Sequence, residues 1–256
     1  MSIQYPDHFT DRLHIIWGDG FLSPGGAEEV REIVTGLDLS GRRVLDIGSG
    51  TGGPAITLAR EFDALVTGID VEPQLIERAS RLVEREGLGS KITFQVVRPG
   101  PLDFADQSFD FVFSKDSLIH IEDKPALYKE VLRVLKPGGC FVASDWLAGR
   151  NAFDLPDFLQ FLELVHLKFT MATADRVTQM LEGAGFVDVT TRDRNGWYAD
   201  LSAYEVRQIV GPLVASLIAV SSQDIYDHWL KVRRALANAT RSGGLRPHHL
   251  RAFKPA

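Results

Sequence analysis

The residues with the clearest chemistry form an acidic, glycine-rich bend in the first half of the chain. Asp46 precedes glycines at positions 48, 50, 52 and 53, after an apolar run and before a helix-like segment. Glycines permit a tight turn and let a ligand approach backbone amides. Asp70 ends the next apolar run, where a carboxylate can accept hydrogen bonds from ribose hydroxyls. The pattern predicts a site for a ribose-containing ligand.

The charge of Asp46 separates two interpretations of this bend. Gly48, Gly50 and Gly53 satisfy the GxGxxG spacing, which nicotinamide and flavin enzymes also use. A carboxylate at Asp46 would oppose a pyrophosphate, whereas it is favourable opposite a cationic sulfonium and ammonium group. We therefore expect a positively charged ligand, with a dinucleotide as the competing interpretation.

These residues lie in a stretch where predicted strands and helices alternate. That alternation predicts a parallel sheet with right-handed crossovers. Strands are predicted over 42–48, 64–70, 92–97, 109–114 and 140–146, and helices over 54–62, 73–87 and 126–135, the last ended by Pro-Gly-Gly. Residues 1–40 look mostly helical. Helices near 156–169 and 172–185, a strand over 186–193, a long helical region over 200–237 and a short final strand over 249–255 are also expected.

Composition excludes several classes of protein. The 256 residues are 45% hydrophobic and 24% charged, which suits a folded domain with a sizeable core. A net charge of −6 without a basic patch disfavours nucleic acid as a partner. One cysteine, Cys140, excludes an internal disulfide framework and a CxxC zinc site, and we expect no metal. The polar N-terminus and the absence of a run of about 20 apolar residues predict a cytoplasmic protein without membrane contact.

Four segments between residues 42 and 146 resemble class I S-adenosylmethionine-dependent methyltransferases: VLDIGSGTGG, GID, FDFVFSKDSLIHI and LKPGGCF. The resemblance implies an α/β, Rossmann-like fold with a mostly parallel seven-stranded sheet and a helical cap. It implies S-adenosylmethionine as the cofactor and S-adenosylhomocysteine as its product. The residues expected to bind the cofactor are Trp17, Leu22, Ser23, Gly26, Asp46, Gly48, Ser49, Gly50, Asp70, Val71, Val97, Arg98, Pro99, Ser114 and Lys115.

The N-terminal segment adds a narrower resemblance, to the phosphoethanolamine N-methyltransferases. Gln4 and Tyr5 match a Gln-Tyr pair of that family, and residues 16–26 match an aromatic-Gly-acidic run that ends in Ser-x-Gly-Gly. A Ser-basic-Asp-x-x-x-His motif follows the fourth strand, as Ser114 to His120. The resemblance implies that Tyr5 and His120 form a catalytic hydrogen-bonded pair. It further implies that Gln4, Asp116, Trp146 and Lys168 bind the acceptor.

Departures from that family concern the acceptor and the adenine. In that family a basic and a phenolic residue bind a phosphate, and this chain has Leu167 and Phe169 at those positions. This chain also has Trp146 at a position where the family has a phenol. Burying a phosphate without paired donors is costly, so we expect a flatter or more hydrophobic acceptor. Arg98 stands where the family has an acid for the adenine, a role that Asp103 or backbone groups would take over.

We therefore expect three segments: an N-terminal helical lid (1–40), a cofactor-binding core (41–195) with a helical insertion around 152–170, and a C-terminal helical cap with the final strand (196–256). The predicted function is N-methylation of a small-molecule amine or heterocyclic nitrogen by a monomer or homodimer. An O- or C-methyltransferase and a catalytically silent cofactor-binding protein remain alternatives.

Overall fold

The computed structural model describes residues 5–256, so Gln4, predicted to bind the acceptor, lies outside the described residues. Seven strands form one sheet: Arg43–Ile47 (β1), Leu65–Asp70 (β2), Ile92–Val96 (β3), Phe109–Lys115 (β4), Leu135–Ala148 (β5), Val187–Asp193 (β6) and Leu245–Phe253 (β7). Their order is β3-β2-β1-β4-β5-β7-β6. Strands β1 to β5 pair in parallel, and β7 is antiparallel to both β5 and β6. The predicted mostly parallel, seven-stranded Rossmann-like sheet is confirmed.

Residues 5–256 contain ten α-helices: Asp7–Trp17 (α1), Gly26–Ile33 (α2), Gly53–Glu61 (α3), Pro73–Arg85 (α4), Lys124–Val134 (α5), Pro156–Leu164 (α6), Ala174–Ala184 (α7), Asn195–Ile209 (α8), Val214–Ala219 (α9) and Gln223–Arg241 (α10). Apolar side chains of α2, α3 and α4 cover one face of the sheet, and those of α5 and α7 cover the other. In α4 the buried residues recur at helical spacing and form one face: Leu75, Ile76, Ala79, Leu82 and Val83. None of the helices within the described range is both long and apolar enough to cross a membrane.

Three predicted element boundaries are wrong, each for a local reason. The Pro-Gly-Gly expected to end α5 lies within β5, where the register shifts from Phe109 opposite Leu135 to Phe111 opposite Cys140. The helix expected over 156–169 ends at Leu164, after which the chain runs on to pair with the His120 segment. The helical region expected over 200–237 is three helices, and Pro212 lies in the first break because it lacks an amide donor.

The C-terminal segment belongs partly to the sheet. Instead of a short final strand, β7 has nine residues and pairs with β5 on one side and β6 on the other. The paired His248 and His249 therefore lie in a central strand and are 7% exposed. Helices α6, α8 and α10 form a separate apolar cluster with Trp146, and α1 packs with α9 and α10 in another. Residues of α1, α6 and α10 line one cavity with Asp116, which follows β4, and with Trp146 of β5, so these helices cap the ends of those two strands.

Candidate active site

The turn after β1 is fastened to the end of β2. Gly48 has a φ of +72°, and a Cβ there would lie 2.3 Å from the side chain of Ser117. Its amide donates to the Ile69 carbonyl at 2.9 Å, and the Gly50 amide donates to Asp70 Oδ2 at 2.9 Å. Only glycine tolerates both the backbone conformation and the close approach at position 48. Asp70 is thereby held beside the turn, with both carboxylate oxygens at the edge of the sheet.

Asp46, the last residue but one of β1, has an unpaired buried carboxyl group. It is 1% exposed, and neither of its oxygens has a hydrogen-bond partner within residues 5–256. Ser49 Oγ, in the same turn, is also buried without a partner. Burial, together with the charge of Asp70, raises the pKa of Asp46 to about 8. Buried acceptors that lack donors are costly, so this geometry fits a ligand that brings positive charge or donors.

The N-terminal segment docks directly on the glycine-rich turn. The Gly53 amide donates to the Gly20 carbonyl at 2.9 Å, and a Cβ at Gly53 would lie 2.6 Å from that oxygen. A Cβ at Gly50 would lie 3.0 Å from Leu22 Cδ1. The last glycine of the GxGxxG pattern therefore serves close packing against the N-terminal segment. Leu22, predicted to bind the cofactor, contacts the turn itself.

Lys115 joins the N-terminal segment to the end of β4. Its Nζ donates to Ser23 Oγ at 2.6 Å, to the Pro24 carbonyl at 2.8 Å and to Asp116 Oδ2 at 2.8 Å. The side chains of Lys115 and Asp116 are 1% and 5% exposed. Asp116 Oδ1 also accepts a hydrogen bond from Ser144. Burial alone would raise the pKa of Asp116, but the Lys115 ammonium and these hydrogen bonds lower it below its usual value. Asp116 is therefore a carboxylate at neutral pH.

Tyr5 and His120 form the hydrogen-bonded pair that the resemblance predicted. The distance between Tyr5 Oη and His120 Nε2 is 3.1 Å, and that between His120 Nδ1 and the Lys168 carbonyl oxygen is also 3.1 Å. A carbonyl only accepts, so Nδ1 carries the proton and the lone pair of Nε2 faces Tyr5. Burial lowers the pKa of His120 and raises that of Tyr5. At neutral pH the phenol therefore donates to a neutral imidazole.

A cavity of about 480 Å³ opens beside this pair. Its wall is mainly apolar and aromatic, and it includes three residues that depart from the phosphoethanolamine N-methyltransferase pattern, namely Trp146, Leu167 and Phe169. Tyr5 reaches the same cavity from the N-terminal segment, and Asp116 and His120 reach it from the segment that follows β4. Leu22 and Ser23 line it as well, so the cavity meets the segment that covers the glycine-rich turn. A volume of this size accommodates a small molecule.

Trp17 connects the N-terminal segment to the helical cap. Its Nε1 donates to Glu205 Oε1 at 2.6 Å, and Glu205 also pairs with Arg233. The Arg233 guanidinium carbon lies 5.2 Å from the centre of the Trp17 ring. Glu205 and Arg233 are 3% and 5% exposed. The Trp17 ring faces the cavity, and its predicted contact with a cofactor stays a prediction.

Several other predicted cofactor residues lie at the ends of β2 and β3. The Val97 amide donates to the Asp70 carbonyl at 2.9 Å, which places residues 97–99 beside Asp70. Val71, Arg98 and Pro99 are exposed there, as is Asp103. A contact between these residues and an adenine ring stays a prediction.

The remaining predicted residues have structural partners within the chain. Ser114 is fully buried, and its hydroxyl donates to the Ile47 carbonyl at 2.8 Å. Gly26 begins α2, against the Trp17 carbonyl. The Lys168 side chain is exposed and does not line the cavity; its carbonyl reaches the site by holding His120. Binding roles for these three residues stay predictions.

Several buried residues of the cavity wall were not predicted from the sequence, among them Arg12, Phe161, Trp229 and Arg233. Arg12 follows Phe9 by three positions on α1, which places the two side chains on one helical face. That spacing was the available signal. The position of Arg233 depends on the packing of α10 against α8, which spacing alone does not reveal.

Comparison with known proteins bears on these features. A family described as "Methyltransferase domain" matches residues 44–139. Phosphoethanolamine N-methyltransferase 1 of Arabidopsis thaliana is 32% identical over 210 residues, which are 81% of this chain and 42% of that enzyme. Methyltransferase GfsG of Streptomyces halstedii is 36% identical over 215 residues, 77% of this chain and 76% of that protein.

The chain belongs to the class I S-adenosylmethionine-dependent methyltransferases. Among solved structures, Haemonchus contortus phosphoethanolamine N-methyltransferase 2 in complex with S-adenosyl-L-methionine superposes with a TM-score of 0.90 at 26% identity. The match covers 99% of this methyltransferase and 58% of that chain. The chain spans about half the length of the plant relatives that it matches.

Proposed function

We propose that this methyltransferase transfers a methyl group to the nitrogen of a small-molecule amine or heterocycle. The hydrogen bond between Tyr5 and His120, at the wall of a cavity adjoining the glycine-rich turn, is the observation that carries the proposal. The similarity to phosphoethanolamine N-methyltransferases supports nitrogen as the accepting atom. We further propose that the acceptor is a free small molecule, because the net charge of −6 disfavours nucleic acid.

The residues at the ends of β1 and β2 fit the cofactor. Asp46 and Ser49 offer buried oxygens without partners, and Asp70 lies beside the turn where ribose hydroxyls would bind. Leu22 covers the turn and excludes water from it. S-adenosylmethionine, when bound, supplies a methyl group that is already activated by its sulfonium charge. The protein's own task is then to align the acceptor and to free its lone pair.

Tyr5 and His120 are suited to that second task. An amine that is protonated in water cannot attack until a proton leaves, and Tyr5 Oη can accept that proton while its own passes to His120 Nε2. The Lys168 carbonyl keeps the imidazole in the tautomer that accepts at Nε2. Asp116 lines the same cavity as a carboxylate, and it would orient an ammonium group before deprotonation.

The proposal is tested by Tyr5→Phe and His120→Asn, with Tyr204→Phe as the matched control because Tyr204 is 50% exposed. Turnover is expected to fall by about 10²–10⁴-fold in the first two variants, with cofactor affinity unchanged within about threefold. Because burial lowers the pKa of His120, turnover of the wild-type enzyme should rise with pH in a range below about 6.5. Undiminished turnover in Tyr5→Phe would exclude the relay.

The apolar wall favours an acceptor other than phosphoethanolamine. Leu167 and Phe169 supply no charge-assisted donors for a phosphate, and Lys168 points away from the cavity. The same Tyr5–His120 pair would also deprotonate a hydroxyl, so O-methylation is the second candidate. Mass-spectrometric analysis of the product distinguishes an N-methyl from an O-methyl group. Tight binding of phosphoethanolamine that is lost in Lys168→Ala would contradict this view of the cavity.

A further inference from the structure

Arg12 is a buried cation without a counter-charge. It is 4% exposed, and within residues 5–256 no hydrogen bond or ion pair involves its guanidinium. Both Nε and Nη1 are buried and unpartnered. Its neighbours are two aromatic rings: the guanidinium carbon lies 5.6 Å from the centre of Phe9 and 5.7 Å from that of Trp229. Burying an unpaired charge is expensive, and burial accordingly lowers the pKa of Arg12.

The other charged groups inside the cavity are compensated. Asp116 pairs with Lys115, and Arg233 pairs with Glu205. His120 is neutral because its pKa is lowered, and Tyr5 is a neutral phenol because its pKa is raised. His8, His166, Asp224 and His228 line the rim and are exposed to solvent. Among residues 5–256, the buried wall therefore carries one uncompensated positive charge, at Arg12.

Two further buried donors of the same wall lack acceptors. Arg233 Nε and Trp146 Nε1 are both unpartnered within the described part of the chain, and both residues line the cavity. Three side chains with unpartnered donors thus line a cavity whose wall is mainly apolar and aromatic. Such a wall is complementary to an anionic acceptor group, since charge-assisted hydrogen bonds would offset the burial of the guanidinium.

From these contacts we infer that the methyl acceptor is a largely apolar molecule with a single acidic group, and that Arg12 binds this group. The inference rests on the proposed function, because it concerns the acceptor of the same reaction. One uncompensated charge matches a carboxylate, whereas a doubly charged phosphate ester would leave a net negative charge in an apolar wall. Phe9 separates the two ends of the site: its ring centre is 5.6 Å from that of Tyr5 and 5.6 Å from the Arg12 guanidinium. The acidic group would therefore bind in the same cavity as the reacting atom, on the far side of the Phe9 contact from Tyr5.

The experiment uses three probes with the same apolar body: 3-phenylpropanoate, 3-phenylpropanamide and 3-phenylpropyl phosphate. Binding to the enzyme saturated with S-adenosylhomocysteine is measured by calorimetry and by tryptophan fluorescence, because Trp229 lies against Arg12. The variants are Arg12→Gln and Arg12→Lys. Arg207→Gln is the matched control, since Arg207 is exposed and also stacks on an aromatic ring, that of Tyr204, at 5.8 Å.

The carboxylate is expected to bind the wild-type enzyme about ten- to a hundredfold more tightly than the amide. Arg12→Gln should abolish that preference and leave amide binding within about threefold. Arg12→Lys should retain part of it, and Arg207→Gln should behave as wild type. Arg12→Gln should also keep or raise the unfolding temperature of the free enzyme, because the variant removes an unpaired buried charge. A purely structural arginine would lose stability instead.

Two results with the wild-type enzyme would overturn the inference: equal binding of the amide and the carboxylate, or tighter binding of the phosphate ester than of the carboxylate. Two results with Arg12→Gln would also overturn it: an unchanged preference for the carboxylate, or a large loss of S-adenosylhomocysteine affinity. The last would assign Arg12 to the cofactor carboxylate. If Arg12→Gln fails to fold, the preference for the carboxylate over the amide is compared between Arg12→Lys and wild type, and an unchanged preference would overturn the inference. Absence of S-adenosylhomocysteine binding to the wild-type enzyme would instead refute the proposed function, which makes the two failures distinguishable.

Discussion

The unpaired carboxylate of Asp46 predicts that donor binding depends on pH. Burial and the charge of Asp70 raise its pKa to about 8, so Asp46 is mostly protonated in the free enzyme at neutral pH. A cationic methyl donor favours the ionised form. Binding therefore requires the carboxyl group to lose its proton, and affinity should rise with pH until about pH 8 and then level off.

The size of the effect follows from the pKa. At pH 7, one unit below it, about one tenth of the free enzyme has Asp46 ionised, so deprotonation costs about 1.4 kcal/mol of binding free energy. Below pH 7, affinity for the donor should fall by about tenfold per pH unit until the pH reaches the pKa that Asp46 has in the complex. Asp46→Asn should bind the donor more weakly above pH 8 and should lose this steep dependence.

Calorimetry provides the assay. Titrating S-adenosylmethionine at pH 7 in two buffers of different ionisation enthalpy measures the protons released, which should be about one per site for wild type and fewer for Asp46→Asn. The variant is the control for ionisation of the ligand's own amino group. Affinity that is flat with pH in the wild type, or equally steep in Asp46→Asn, would refute the reasoning.

The raised pKa of Asp46 also makes the free energy of unfolding depend on pH. The dependence has the opposite sign from that of an ion-paired carboxylate, whose pKa is lowered by folding. Between the ordinary aspartate pKa of 3.8 and about 8, the folded enzyme holds a proton on Asp46 that the unfolded chain has lost. This group therefore lowers the free energy of unfolding as pH rises through that window. Asp46→Asn should remove this loss, so the free variant should unfold at a higher denaturant concentration than wild type at pH 8.

Two further predictions concern the groups that hold the N-terminal segment. Lys115→Met leaves Asp116 as an unpaired buried charge and should cost about 3–5 kcal/mol in denaturant unfolding. Lys91→Met should cost less than about 1 kcal/mol, because the partner of Lys91, Asp63, is 60% exposed. Equal costs in the two variants would contradict this assignment. Glu205→Gln weakens the hydrogen bond that attaches Trp17 to the helical cap. It should raise amide hydrogen exchange in α1 while β1 to β5 stay protected. Unchanged exchange in α1 would show that other contacts hold the helix.

The sheet and the glycine-rich turn were predictable because their signals are local. The apolar runs, the positions of the glycines and the spacing to Asp70 all lie within short stretches of chain, and the turn conformation at Gly48 depends on the residue itself. Strand β7 was expected only as a short terminal strand. Its insertion between β5 and β6 depends on pairing with residues about 60 and 100 positions earlier, which no local pattern encodes.

The acceptor cavity was less accessible to sequence reasoning. The Tyr5–His120 hydrogen bond joins residues 115 positions apart, and only the family resemblance indicated it. Trp17 and Glu205 are 188 positions apart, and neither residue type by itself suggests a partner. The spacing of Arg12 from Phe9 indicates a shared helical face but not burial of the guanidinium. Its burial arises because α1 packs against α9 and α10, which leaves the guanidinium between Phe9 and Trp229.

The two parts of the N-terminal segment are anchored with very different strength. Residues 20–24 are held by backbone contact with Gly53 and by the enclosed ammonium of Lys115, whereas α1 rests partly on exposed pairs between Arg78 and both Asp7 and Asp11. Between them lies Gly18, with a φ of +91°. We expect α1 to swing outward at Gly18 far more readily than the downstream loop lifts. Before methyl transfer, an acceptor could then enter and leave through opening of α1 alone while the glycine-rich turn stays covered, and added salt would speed that exchange. Exchange of the spent cofactor would still require the downstream loop to lift once in each turnover.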